Sequence, residues 1–134
     1  MGDIHNHRFY RAIRLVERAR QFAQIIACDI QPLTNLRVLA YLRTVFNADT
    51  RARSHWFRHW LLEGLDALEH LLVAGRGSTS FCVGNEVSLA DIVLVPQMYQ
   101  ARKFKLAVDD FSRLCEIEAA CLEIDGFRDV APIN

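Results

Sequence analysis

An all-α fold is predicted for this 134-residue chain by three observations. Apolar residues return at steps of three and four along most of the sequence, a spacing that only a helix gathers on one face. Ser-Leu-Ala-Asp at 88–91 is a helix-start signal with renewed helical period behind it. No alternating apolar and polar run is long enough to require a β-strand, so a bundle of about five helices is expected. The length is that of one ordinary domain, residues 1–134 with a core over about 8–132. Hydrophobic residues make up 51% and charged ones 24%, which excludes an intrinsically disordered chain because there is ample apolar surface to offset chain entropy.

The first helix is read from Phe9, Ile13, Val16, Ala19, Ala23, Ile26 and Ile30. Pro32 removes a backbone donor, yet Leu33, Leu36, Leu39 and Leu42 renew the period, so a kinked or restarted helix is expected as far as the polar segment near Asn47. A second helix is expected from Ser54 as N-cap, with Phe57, Leu61, Leu65, Leu68 and Leu72 on one stripe and Trp56 and Trp60 beside it. Gly75 and Gly77 end it, and Phe81 to Val83 form a small apolar knot in the loop that follows. Ser88 and Asp91 make the short variant of a capping box, flanked at staple spacing by Val87 and Ile92. The helix they start runs to about Phe104 with Pro96 inside it. Asp109 or Asp110 is expected to cap a fourth helix with Phe111, Leu114, Ile117, Ala120 and Cys121 as its stripe. Gly126 then separates a terminal turn, Phe127 to Ala131.

Composition also limits function. Sixteen basic and sixteen acidic side chains leave no net field to draw nucleic acid or anionic lipid to the whole molecule. Residues 1–60 nevertheless hold ten basic and four acidic groups, and the remainder six and twelve, so the two halves carry +6 and −6. The early arginines (Arg8, Arg11, Arg14, Arg18, Arg20) have the spacing of a phosphate-binding face and equally of the wet side of an amphipathic helix. No nucleic-acid recognition motif accompanies them. Four cysteines without a C-x-x-C pair fit reduced thiols, and no apolar stretch is long enough for a membrane span or a signal peptide. A cytoplasmic protein is expected.

Chemistry-bearing motifs are few. His55 and His59 are four apart on a predicted helix, with His5 and His7 as further donors, but no carboxylate or cysteine completes a ligand set, and no metal is expected. There is no nucleophile elbow, reactive-cysteine signature or phosphate-cradling glycine loop, so no catalytic residue is assigned. Polar groups do gather beside the two proline-bearing segments: Gln31, Asn35 and Arg37 near Pro32, and Gln97, Gln100, Arg102 and Lys103 after Pro96. Two readings stay open. These groups hold an anionic small molecule, for which arginine offers a planar fork, or they cap loosened backbone and pair with acids.

The run Ile26-Ala-Cys-Asp-Ile-Gln-Pro-Leu-Thr-Asn-Leu-Arg-Val-Leu39, with Phe81-Cys-Val-Gly-Asn85, Ser88-Leu-Ala-Asp-Ile92, Leu94-Val-Pro-Gln97 and Ala101-Arg-Lys-Phe104, resembles the C-terminal helical domain of zeta-class glutathione transferases. That class includes the maleylacetoacetate and maleylpyruvate isomerases. The resemblance covers about residues 8–132. It implies a pocket for an acidic substrate, with Arg37 holding a carboxylate, Lys103 standing where the class has its second substrate arginine, and Arg102 adjacent. It places Gln31 and Asn35 near the glutathione of the intact enzymes, while Gln100 and Thr34 replace asparagines of the class pattern. Glutathione is bound in those enzymes largely by a thioredoxin-like domain. None of that domain is in this sequence, so no cofactor is expected on this chain alone. The expected role is the substrate-side domain of such an isomerase, not catalytically competent by itself and forming a homodimer, either as a fragment of the enzyme or as a half that associates with a separate thioredoxin-like chain. The alternative is a stand-alone helical binding or dimerisation module without enzyme activity.

Overall fold

The computed structural model describes residues 3–75 and 79–130, with side chains from His7 onward. Among the described residues there are seven α-helices and no strand: α1 Asp3–Gln24, α2 Gln31–Thr34, α3 Leu36–Phe46, α4 Thr50–Ala74, α5 Leu89–Lys103, α6 Ser112–Leu122 and α7 Asp125–Arg128. Five of them run eleven residues or more, as the periodicity predicts. No described helix is long and apolar enough to cross a membrane. Gly77, Ala131 and Pro132 fall outside the described residues, as does the side chain of His5.

The disturbance expected around Pro32 lies one turn upstream of it. Ile25–Ile30 is π-helical, and the Gln31 N–H reaches back five residues to the Ile26 carbonyl. Pro32 itself sits in the first turn of α2, directly after the π-helical turn. The wider turn drives Ile30 into α4 at Gly64, where a Cβ would stand 2.2 Å from Ile30 Cγ1. Only a residue without a side chain admits that approach. The helix then breaks at Asn35, whose extended backbone and Oδ1, accepting from the Arg37 N–H at 3.0 Å, start α3. Asn47, left-handed at φ 52°, ends it.

α4 begins at Thr50 rather than near Ser54, because Asp49 caps it: its Oδ1 accepts from the Ala52 N–H at 2.7 Å. Ser54 is exposed inside the helix. Phe57, Leu61, Leu65, Leu68 and Leu72 are all buried along α4, the central element of the bundle. They meet Phe22, Ile26 and Ile30 from the first helical run, Leu94 and Met98 from α5, and Leu114 and Ile117 from α6 in one core. Cys82 and Val83 are buried beneath the helices and Phe81 is half-buried, as the loop knot predicts.

Asp91, fully buried, does more than the capping box requires. Its Oδ2 accepts from both the N–H and the hydroxyl of Ser88 at 2.8 Å, and its Oδ1 accepts from the Cys82 N–H at 2.8 Å. One carboxylate therefore starts α5 and ties down the preceding loop. Val87 and Ile92, at staple spacing, both remain exposed.

α5 ends in a Schellman arrangement, with the Leu106 N–H on the Ala101 carbonyl and the Lys105 N–H on the Arg102 carbonyl. Lys105 occupies the left-handed position, φ 55°, where glycine is usual. Neither Asp109 nor Asp110 caps α6. The local N-cap is Phe111, whose side chain has no acceptor to offer, and Glu69 of α4 serves instead. Its two oxygens accept from the Arg113 and Leu114 N–H groups at 2.9 and 3.0 Å. Gly126 lies within α7 rather than ahead of it, and extended Ile124 makes the separation.

Candidate functional site

The polar groups singled out in the sequence fall at two helix junctions. Gln31 opens α2, Asn35 caps α3 and Arg37 is the second residue of α3; all three are exposed. Arg102 and Lys103 form the last turn of α5, also on the surface. α4 connects the two places. The indole N–H of Trp56 donates to the Leu33 carbonyl of α2 at 2.8 Å. On the next residues of α4, the Phe57 ring lies 4.2 Å from that of Phe104 at the end of α5, and Arg58 Nη2 donates to the Lys105 carbonyl at 3.4 Å. Three consecutive side chains of one helix thus fix both junctions. α3 itself packs on α2 and α4.

The five residues differ in what their side chains are doing. Asn35 uses its Oδ1 on the α3 cap, which leaves its amide NH₂ as the outward donor. Among the described residues, neither Arg37 nor Lys103 has a carboxylate within 4 Å. Arg102 is placed differently. Its Nη2 and Nε donate to Glu118 Oε2 of α6 at 2.7 and 3.1 Å, and its Nη1 is 3.6 Å from Asp109. The bond to Glu118 holds the guanidinium charge more firmly than usual. Gln97 is buried beside Met98, whereas Gln100 is exposed.

Sequence reasoning missed Glu118 and Glu69. Glu118 had a signal: it stands four residues after Leu114 and three before Cys121, an acid on the buried stripe of its own helix. Trp60 is a further feature of this face. It meets Trp56 edge-on at 5.7 Å, and its buried indole N–H finds no acceptor among the described residues. His59 packs on Trp60 and stacks with His55, both imidazoles remaining exposed, and His7 is exposed on α1. No group of three or more metal-binding side chains occurs among the described residues.

The thiols do not supply a nucleophile at neutral pH in three of the four cases. Burial pushes Cys82 far above its ordinary value, with Asp91 adding to the effect. Burial also raises Cys121 to about 12. Cys115 is raised because burial outweighs the nearby Arg102 guanidinium. Cys28 lies exposed on the π-helical turn. The face therefore offers cations and amides suited to anions, but those three sulfurs stay protonated.

Residues 60–120 match the family described as the C-terminal domain of glutathione S-transferase. A maleylpyruvate isomerase from Ralstonia sp is 40% identical over 116 residues, which are 87% of this chain and 55% of that protein. The solved structure of a maleylpyruvate isomerase described as a bacterial zeta-class glutathione S-transferase superposes with a TM-score of 0.83 at 40% identity, covering 87% of this chain and 55% of the other. The chain belongs to the glutathione S-transferase family as a zeta-class C-terminal domain. A maleylacetoacetate isomerase from Methylobacterium extorquens AM1, solved with bound malonate and glutathione, also superposes at 0.83, with 29% identity over 86% of this chain and 54% of that one. The chain spans about half the length of the relatives it matches.

Proposed function

We propose that this chain forms the acid-recognising wall of a glutathione-dependent cis–trans isomerase acting on a small unsaturated dicarboxylate, the thiol being activated by a thioredoxin-like domain outside these residues. The observation that carries the reading is that Arg37 and Lys103, neither with a carboxylate within 4 Å among the described residues, stand on two junctions that Trp56, Phe57 and Arg58 of a single helix tie down. Arg37 presents a bidentate fork to one carboxylate, and Lys103 a point charge to the other. Gln31 and the outward amide of Asn35 are donors suited to the cofactor's peptide groups. Glutathione, when bound, supplies the thiolate that adds reversibly to the substrate double bond. The residues of this chain bind and orient the dicarboxylate so that its double bond faces that sulfur. The raised thiols of Cys82, Cys115 and Cys121 argue against any of those three replacing the cofactor.

A calorimetric titration with malonate, with and without glutathione, tests this reading. Native protein binds malonate, and Arg37→Met loses at least tenfold in affinity, the size expected when one bidentate contact of about 1.5 kcal/mol is removed. An affinity unchanged in Arg37→Met removes that residue from the site.

A second reading is favoured by a separate observation. Phe9, Tyr10 and Val16 on α1 and Leu36, Tyr41 and Phe46 on α3 are apolar and largely exposed. Such surface favours association, and a twofold homodimer is its simplest closed form. Light scattering that gives the mass of one chain at micromolar concentration contradicts it.

A further inference from the structure

Glu118 is 7% exposed, and Arg102 is its only cationic partner among the described residues. A carboxylate that deep must keep its cation, because an unpaired charge in a core is far more costly than an exposed arginine without a partner. The pull therefore runs from α6 to α5. Arg102 answers with two donors on one oxygen, Nη2 at 2.7 Å and Nε at 3.1 Å. Asp109 from the α5–α6 loop and the Cys115 sulfur, 3.5 Å from Nη2, complete its surroundings on the α6 side. The same turn carries the Schellman bonds, one of which ends on the Arg102 carbonyl. Phe104 on Phe57 holds it from the α4 side. Successive residues of a helix project about 100° apart, so fixing Arg102 against α6 also fixes where Lys103 emerges.

We infer that Arg102 and Glu118 are positioning residues: their ion pair sets the rotation of the last turn of α5, so that Lys103 rather than Arg102 faces an anionic ligand. The inference deepens the carboxylate-binding reading and, for the role of Lys103, rests on it. It differs from the simpler expectation that both cations grip substrate. Glu118 has no direct part in binding, yet its loss disturbs binding through a neighbour on another helix.

The experiment combines malonate titration with amide hydrogen exchange on native protein, Glu118→Gln and the apolar double variant R102M/E118M. The double variant removes both charges together and so avoids stranding either. In Glu118→Gln, exchange of the Phe104, Lys105 and Leu106 amides accelerates by about tenfold while that of Leu61 and Leu65 is unchanged, as local opening of one turn requires. Malonate affinity falls roughly fivefold in both variants, and this loss disappears when Lys103→Met is added, the non-additivity expected of residues acting as one unit. A merely structural role does not produce that dependence on Lys103. Binding in Glu118→Gln that equals or exceeds native means that the released guanidinium touches ligand itself, and overturns the inference. Unchanged exchange at 104–106 overturns it as well. If native protein binds no malonate, the carboxylate reading and the role of Lys103 fall together, while accelerated exchange still establishes the pair as what holds the turn.

Discussion

The half of the molecule built from α4, α5 and α6 and the half built from the start of α1 and α3 carry the same apolar periodicity, yet only the first is buried. Around α4 three carboxylates tie neighbouring helix ends: Asp91 joins the start of its own helix, α5, to the 79–87 loop, Glu69 of α4 caps α6, and Glu118 of α6 holds the end of α5. In α3, no residue is fully buried, and Tyr41 and Phe46 stand 57% and 65% exposed. Phe9, Ile13 and Val16 continue the stripe of Ala19, Ala23 and Ile26 but emerge from the core. The difference teaches that period identifies which face is apolar, while the identity of what covers that face depends on neighbours. For the first half of α1 and for α3, the described residues provide little cover.

The sharpest way to break this contrast is to remove the carboxylate with the most bonds. Asp91→Ala strands the Cys82 and Ser88 N–H groups, and a loss of about 3 kcal/mol is expected for an N-cap and a buried bond removed together. Urea unfolding measures it, and a loss under 1 kcal/mol shows that the loop and α5 are held by something else.

Alkaline pH probes the same half. The Cys121 thiol, fully buried, is raised from an ordinary 9.0 to about 12. Below pH 9 both folded and unfolded chains keep the proton and the contribution is fully present. Between pH 9 and 12 the unfolded chain loses it first, so stability falls as pH rises, by about 1.4 kcal/mol per unit for one such thiol. Cys121→Ala makes the decline shallower in denaturation curves taken from pH 8 to 11; an identical slope contradicts the assignment.

Glu69→Ala should cost about 1 kcal/mol, the value of one helix cap, with the loss confined to unfolding of α6 in hydrogen exchange. The smallest effect belongs to the other half. Phe46→Ser changes the stability of the single chain by less than about 0.5 kcal/mol, as surface positions do. Its consequence is read in association, which weakens; a large loss of stability instead places Phe46 in a core.

What was legible follows the range of the interaction. Ser88 and Asp91 are three residues apart, so the start of α5 can be read directly, as can the leucine stripe of α4. Asp109 and Asp110 were the obvious caps for α6, yet the true cap is over forty residues upstream in sequence, at Glu69, where nothing local announces it. Ser54 misled because a better acceptor, Asp49, stood five residues earlier. The π-helical turn depends on Gly64 making room for Ile30, a fact of packing between helices. At the candidate site the charges were legible, but Arg102 and Lys103 are adjacent in sequence and only the fold distinguishes them. Buried Glu118 engages the first, while the second has no acid within 4 Å among the described residues.

The claim that this chain recognises an acid but leaves sulfur activation to another domain is tested most directly by one rate. Maleylpyruvate isomerisation is followed at fixed glutathione with and without the purified chain. Equal rates are expected; an acceleration that saturates with substrate shows that the chain activates sulfur by itself and overturns the claim.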